Sequence, residues 1–522
     1  MGNLRSAVEE SENRNIEGVT TTWNGALSYG AINDPLVELF FKSVRDIPCV
    51  DYRCITVKKS KNEGRMHRNN SEGKKRLEEY FDAAWESDPL RTLKFLFYLR
   101  DCRGGKGERK LFRALVRHMR ERGLGEHLEV NLKHIPFFGS WKDISVCFFG
   151  TSFEKEAIEL IANQLKEDLN SEMPSLCAKY APGEGSAIDK AHNAGIKISN
   201  KLGVNLTQYR KRYLTPLRKK LNIVEQEMCS KQWDQVNYEK VPSIAGSKYK
   251  KAFNRHDKER YSEYLSSVKK GEKKMNTSVL MPHQIVGRYI NCGRIDETIE
   301  AQWVSFIANR KEKWPKNVNV LPIVDVSGSM FCGGDPQPGE VAVALGLTFA
   351  TLNTSERYMG KIITFSSNPE MLSVPIKEDS LYKQVNYIKR ANWEMTTDFQ
   401  KAFDLILNTA TMYNIPQEDM PQILLVLSDM QFDQAQEGVT NWEEIENKYK
   451  RVGYKRPIII FWNLNGNSND YPVPSAKVPN CALLSGYNDS ILYKLLDGEM
   501  PNPIDIVHKA LDAERYNIIH LA

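Results

Sequence analysis

The stretch NVNVLPIVDVSGS, residues 317–329, decides the fold of the second half of this chain. Its first part is an apolar run of strand length, and it ends in a turn rich in hydroxyls. A nearly continuous apolar strand suits a parallel sheet covered on both faces, whereas a sheet with one wet face would alternate. The same texture recurs downstream. Residues 339–353 (GEVAVALGLTFATLN) read as a helix, 360–367 (GKIITFSS) as a strand and 399–411 as a helix. A strand at 423–429 (ILLVLSD), a helix at 441–450, a strand at 457–462 (PIIIFW) and a helix at 503–513 follow. Strands alternating with helices predict a doubly wound α/β domain over residues 316–522.

Ligands of such sheets bind beyond the carboxyl ends of the strands, where the strand order reverses. Asp325, Ser327 and Ser329 follow directly on the first strand, and Gly328 lets the backbone turn between them. Asp429 ends the strand at 423–429, and Thr397, beside Thr396, opens the helix at 399–411. Together they make an all-oxygen set with few charges, which suits Mg²⁺ or another divalent cation.

DVSGS with a later threonine and aspartate resembles the metal-ion-dependent adhesion site of von Willebrand factor A domains. The resemblance implies that Asp325, Ser327, Ser329, Thr397 and Asp429 hold the ion, and that a partner protein completes its shell with a carboxylate. Binding rather than catalysis is the expectation. No general base lies nearby in sequence, the nearest histidines being His283 and His508.

Working back toward the N-terminus, the pattern becomes helical. Residues 34–44 (DPLVELFFKSV), 76–85, 88–100, 108–123 and 154–169 carry apolar positions at helical spacing. Asp34-Pro35 and Asp88-Pro89 each read as a cap followed by proline in the first turn. Glycine turns between helices predict a HEAT-like α-helical repeat domain over 21–315, after a polar, disordered tail at 1–20. Residues 58–75 and 181–200 read as long loops. Gly104-Gly105-Lys106-Gly107 follows a helix rather than a strand, so it reads as an interhelical turn instead of a phosphate loop. Trp141 reads as a core anchor.

Composition bounds the rest. The 522 residues are 41% hydrophobic and 26% charged with net charge +6, which fits a globular protein but marks no nucleic-acid binder by itself. Nine widely spaced cysteines without a Cys-x-x-Cys argue against a disulfide framework and point to a reducing, intracellular and cytoplasmic setting. No secretory signal and no membrane-spanning run is apparent. Met1-Gly2-Asn3-Leu4-Arg5-Ser6 matches the acylation pattern at Gly2.

Longer motifs carry a second resemblance. Residues 21–41, 97–112 (FYLRDCRGGKGERKLF), 134–144 (HIPFFGSWKDI), 209–253, 255–274 and 281–287 are similar, with 325–330, 397–407 and 426–435, to the family designated domain of unknown function 2828. That family occurs in plants, fungi and giant viruses. A helical half followed by a von Willebrand A-like half also resembles the Ro ribonucleoprotein architecture, which implies an RNA-binding scaffold. Two basic clusters bear on this: Arg210, Lys211, Arg212, Arg218, Lys219 and Lys220, with Tyr209 and Tyr213 among them, and Lys248, Lys250 and Lys251, with Tyr249 and Phe253. Cations would meet phosphates and aromatics would stack on unpaired bases. A protein adaptor without RNA and a viral structural component stand as alternatives.

Overall fold

The computed structural model describes residues 19–21, 27–45, 66–291, 293–316, 318–331, 336–365, 368–377, 380–391, 398–433, 440–466, 471–496 and 502–522, with 66–76 as backbone only. It has a helical part and an α/β part, as the two textures predict. They form two compact units. One comprises residues up to Ile47, Pro242–Ser247 and Leu265–Ala510, and the other Pro48–Val241, Lys248–Tyr264 and Leu511–Ala522.

In the α/β unit, a short antiparallel pair, β1 (Val19–Thr21) and β2 (Leu27–Tyr29), precedes the main sheet. The main sheet contains β3 (Val320–Asp325), β4 (Lys361–Phe365), β5 (Glu370–Ser373), β6 (Ile423–Ser428), β7 (Ile458–Asn463) and β8 (Cys481–Ser485). Their order is β5-β4-β3-β6-β7-β8, and only the β4–β5 pair is antiparallel. Every residue of β3 and of β6 is buried, which explains their unbroken apolar texture. The chain leaves β3 toward β4 and returns on the other side as β6. The order therefore reverses between β3 and β6, and a crevice opens beyond their carboxyl ends. Helix Pro338–Leu352 lies on the sheet close enough that a Cβ at Gly346 would meet Val324 Cγ2 at 2.5 Å, so only glycine fits there.

The linear boundaries expected from texture differ from the compact units. Helix Pro35–Lys42, capped by Asp34 as expected (Val37 N–H to Oδ1, 2.9 Å), belongs to the α/β unit. Its carbonyls at Phe40 and Phe41 accept from Ser485 Oγ (2.7 Å) and Asn463 Nδ2 (3.3 Å) at the ends of β8 and β7. Helices His283–Ile290 and Glu297–Lys311 also belong to this unit. Glu300 accepts the N–H groups of Leu381 (2.9 Å) and Tyr382 (3.1 Å), closing the start of helix Leu381–Lys389.

Conversely, residues 511–522 belong to the helical unit. Asp512 pairs with Arg91 (2.8 Å), Tyr516 donates to Asp101 (2.9 Å), Arg515 pairs with Asp101 (2.7 Å), and His520 exchanges bonds with Asn131. Sequence texture cannot reveal such returns, because a segment's period reports its own shape and not its neighbours.

The helical unit is built mainly from Met66–Ser87, Pro89–Arg100, Arg109–Glu121, Trp141–Phe148 and Glu154–Asn170; periodicity places the second, third and fifth and the later part of the first, and does not show Trp141–Phe148. Asp88 caps its helix as expected. The turn at 104–107 is a tight interhelical connection. Lys106 is buried there, its amine 5.6 Å from the Phe95 ring centroid, and burial pulls its pKa well below the lysine range. Trp141 is buried as an anchor, and Ser140 and Asp143 form a capping box around it.

Of the loop expected over 181–200, residues 181–186 are irregular as expected, and the rest forms two short helices, Ala187–His192 and Ala194–Lys201, joined at a left-handed Asn193. Asp189 stabilises that corner by accepting from Gly185 N–H (2.9 Å) and Gly195 N–H (2.8 Å). Of the loop expected at 58–75, residues 66–75 are helical and the rest lie outside the described residues.

Candidate metal centre and nucleic-acid surface

The crevice brings together four of the five residues expected to hold the ion. Asp325 is fully buried at the end of β3, Ser327 is buried, and Ser329 is exposed at the mouth. Asp429 is buried just past β6. Thr397, like Gly2 at the other end of the chain, lies outside the described residues.

Asp325 Oδ1 accepts from Ser327 N–H (2.9 Å), and its Oδ2 accepts from Ser428 Oγ (2.6 Å). The Ser327 and Ser329 hydroxyls lie 3.1 Å apart, Ser329 also bonds to Asp429, and Asp429 Oδ1 accepts from Gln431 N–H (3.2 Å). Burial, and the charge of Asp429 beside it, push the Asp325 carboxyl well above the usual carboxylate range; burial likewise raises Asp429.

Among the described residues no lysine, arginine or histidine pairs with either carboxylate. Two buried acids without a cation are costly unless something neutralises them. The donor set, two carboxylates and two hydroxyls all of oxygen, fits a hard divalent cation.

Ser428 was not singled out in the sequence, although it stands beside Asp429 in Leu427-Ser428-Asp429. It accepts from Met430 N–H (3.1 Å), which leaves its own proton for Asp325. Met430 adopts φ +66°, a conformation costly for a side chain of its size, and such strain gathers at functional sites.

The basic clusters divide. Arg210, Lys211 and Arg212 are exposed on a π-helical turn, Tyr209–Leu214, and Lys219 and Lys220 are exposed beyond it. Arg218 does not belong with them. Its guanidinium donates to the Ala178 carbonyl (2.8 Å) and reaches that of Ala181 (3.5 Å), so it ties helices within the unit. Tyr209 is fully buried with its hydroxyl on the Pro182 carbonyl (3.2 Å), and Phe253 is core; neither offers a stacking face. Lys248 and Lys251 are exposed and Lys250 is half-buried, with Lys248 4.8 Å from the Tyr249 ring centroid.

Glu78, His118 and Glu121 form another grouping with ligand-type atoms. His118 there bonds Asp82 (2.6 Å), while Arg122 and Arg117 pair with Asp82 (2.6 Å) and Glu121 (3.6 Å). Two arginines already answer the carboxylates of this network, unlike those of the crevice.

Fold and crevice thus define a two-part protein, one part helical and the other doubly wound α/β. The family model described as Domain of unknown function (DUF2828) matches residues 22–146 and 154–314, and that described as Domain of unknown function (DUF7788) matches 319–516. The chain belongs to the domain of unknown function 2828 family. It is 30% identical over 477 residues to a protein of Acanthamoeba polyphaga mimivirus described as uncharacterised, covering 83% of this chain and 81% of that one. It is also similar in structure to the Ro (Rsr) protein of Deinococcus radiodurans, with 13% identity and a TM-score of 0.36 over 92% of this chain and 100% of that one. No helix among the described residues is long and apolar enough to cross a membrane.

Proposed function

We propose that this protein is a non-enzymatic scaffold with two binding activities. Its α/β unit holds a divalent cation, Mg²⁺ by its oxygen chemistry, in the crevice beyond β3 and β6. Asp325, Ser327, Ser329 and Asp429 would hold it, with Thr397 as the further hydroxyl. A bound Mg²⁺ supplies positive charge and an exchangeable coordination position that a carboxylate of a partner protein can fill, as the von Willebrand A resemblance implies. Ser428 and the Ser327 N–H fix the Asp325 carboxylate, while the exposed Ser329 marks the open side. The observation that carries this reading is the pair of buried carboxylates with hydroxyls around them and, among the described residues, no cationic side chain paired with them.

The helical unit would bind RNA through Arg210, Lys211, Arg212, Lys219, Lys220, Lys248, Lys250 and Lys251. The support is that all but Lys250 are exposed, and that Arg210, Lys211 and Arg212 stand together on one turn. A surface of this kind reads phosphates and not sequence.

Two measurements test the proposal. Titrating Mg²⁺ into chelator-treated protein should give saturable binding that Asp325→Ala removes while circular dichroism is unchanged. Binding of a short single-stranded RNA should weaken steeply as salt rises. Saturable Mg²⁺ binding with no RNA binding at low salt would leave a metal-dependent protein adaptor.

A further inference from the structure

Helix Ser243–His256 carries Lys248, Lys251 and Arg255 at spacings of three and four, so they share one face, and all three are exposed. His256 closes this helix and is also exposed. Its ring stacks on Trp233, with centroids 4.5 Å apart and planes 12° from parallel. Trp233 opens the short turn Trp233–Gln235 and is half-buried, its ring centroid 6.5 Å from that of Phe253 with the two planes nearly perpendicular. Arg260 fastens that turn by donating to the carbonyls of Trp233 (3.0 Å) and Val236 (2.9 Å). Its guanidinium is thereby a positioning group for the indole, not a phosphate contact. All of these residues except the first turn of helix Ser243–His256 lie in the helical unit.

An imidazole face presented to solvent, backed by a fixed indole and flanked by a row of cations, is the arrangement that unpaired nucleobases use. Their flat faces extend an aromatic stack, and the backbone on either side meets the charges. Bases in a duplex already stack on their neighbours and have no free face. We infer that the Trp233–His256 pair is a base-stacking position for single-stranded RNA, with Lys248, Lys251 and Arg255 on the phosphates beside it. This deepens the RNA reading above and rests on it.

The test uses the full chain and three fluorescent probes: an oligouridine of about ten residues, an abasic ribose-phosphate oligomer of equal length, and a duplex RNA. His256→Ala should weaken oligouridine binding about tenfold, in keeping with alanine replacement of single stacking residues. It should leave the abasic oligomer and the duplex unchanged. His256→Tyr, which keeps a flat face, should retain wild-type affinity, and His256→Lys, which offers a charge but no flat face, should not. Equal oligouridine affinities for wild type and His256→Ala would overturn the stack while leaving RNA binding in place. So would full affinity in His256→Lys with loss in His256→Tyr. No oligouridine binding by the wild type at low salt would overturn both this inference and the RNA reading.

Discussion

Both units bury carboxylates, and they neutralise them differently. In the helical unit Asp143 is fully inaccessible and bonded by two guanidiniums, Arg100 (2.7 Å) and Arg113 (2.6 Å). Burial alone would raise its pKa, but the two arginines outweigh burial and hold it below the usual range. Even the backbone is shaped around this cluster, since a Cβ at Gly139 would lie 2.7 Å from Arg100 Nε and 2.8 Å from Asp143 Oδ2. In the α/β unit Asp325 and Asp429 are as deeply buried, yet among the described residues hydroxyls and backbone N–H groups answer them, and both pKa values rise. The fold supplies its own counter-charges where a carboxylate serves as a joint. Where the described residues supply none, the proposed ion would bring the counter-charge from outside.

The largest effect should come from breaking the self-neutralised site. Arg113→Met leaves Asp143 buried with half its partners and should cost about 3–5 kcal/mol in urea unfolding of the chain. A loss under 1 kcal/mol would show that Asp143 is not a structural joint.

Next in size is the effect of the ion. At an Mg²⁺ concentration about 100 times its dissociation constant, the α/β unit should gain about 2.7 kcal/mol, read as slowed hydrogen exchange in β3 and β6. Asp325→Ala should show no gain, and peptides around Asp143 should not respond in either protein.

Arg218→Leu sharpens the contrast from the other side. It should lower stability by about 1–3 kcal/mol by stranding the Ala178 carbonyl, yet leave the salt dependence of RNA binding unchanged. An altered salt slope would return Arg218 to the phosphate-binding group.

The two carboxylate sites should also answer pH with opposite signs. Asp143 has a depressed pKa, so its contribution is present above the unfolded carboxylate range and is lost as pH falls through its folded value. The crevice pair in chelator has raised values, so its contribution is present below that range and is lost as pH rises through them. Hydrogen exchange without metal, corrected for the intrinsic effect of pH, should therefore slow in β3 and β6 on mild acidification, whereas around Asp143 it should stay constant there and speed only below the ordinary carboxylate range. Parallel responses would remove the distinction between the sites. The smallest change in stability, within about 0.5 kcal/mol, should follow the triple reversal Arg210→Glu, Lys211→Glu and Arg212→Glu. Its effect should appear instead in RNA binding, where three lost phosphate contacts lower the salt slope by about 2.

Much of this was legible in the sequence because each signal is local. Apolar runs at 320–325, 423–428 and 458–463 identify buried parallel strands, and the Asp-Pro pairs at 34–35 and 88–89 identify helix starts. Asp325, Ser327, Ser329 and Asp429 stand at strand ends, where the chemistry of such sheets gathers. The exposed cations of 210–212 could be named, but not separated from Arg218, because exposure depends on what packs against a side chain.

Chain order and texture by themselves determined that a helical part precedes an α/β part, and that Asp325, Ser327, Ser329 and Asp429 follow strand ends. Only the tertiary structure decided that residues 27–45 and 283–311 belong to the α/β unit and that 511–522 belong to the helical one. It alone showed that Asp143 meets two arginines while Asp325 and Asp429 meet none among the described residues, that Trp233 stacks on His256, and that Tyr209 is buried. The physical reason is common to all of these. Periodicity reports how a segment buries its own face, whereas charge compensation and stacking depend on residues brought together from distant positions in the chain.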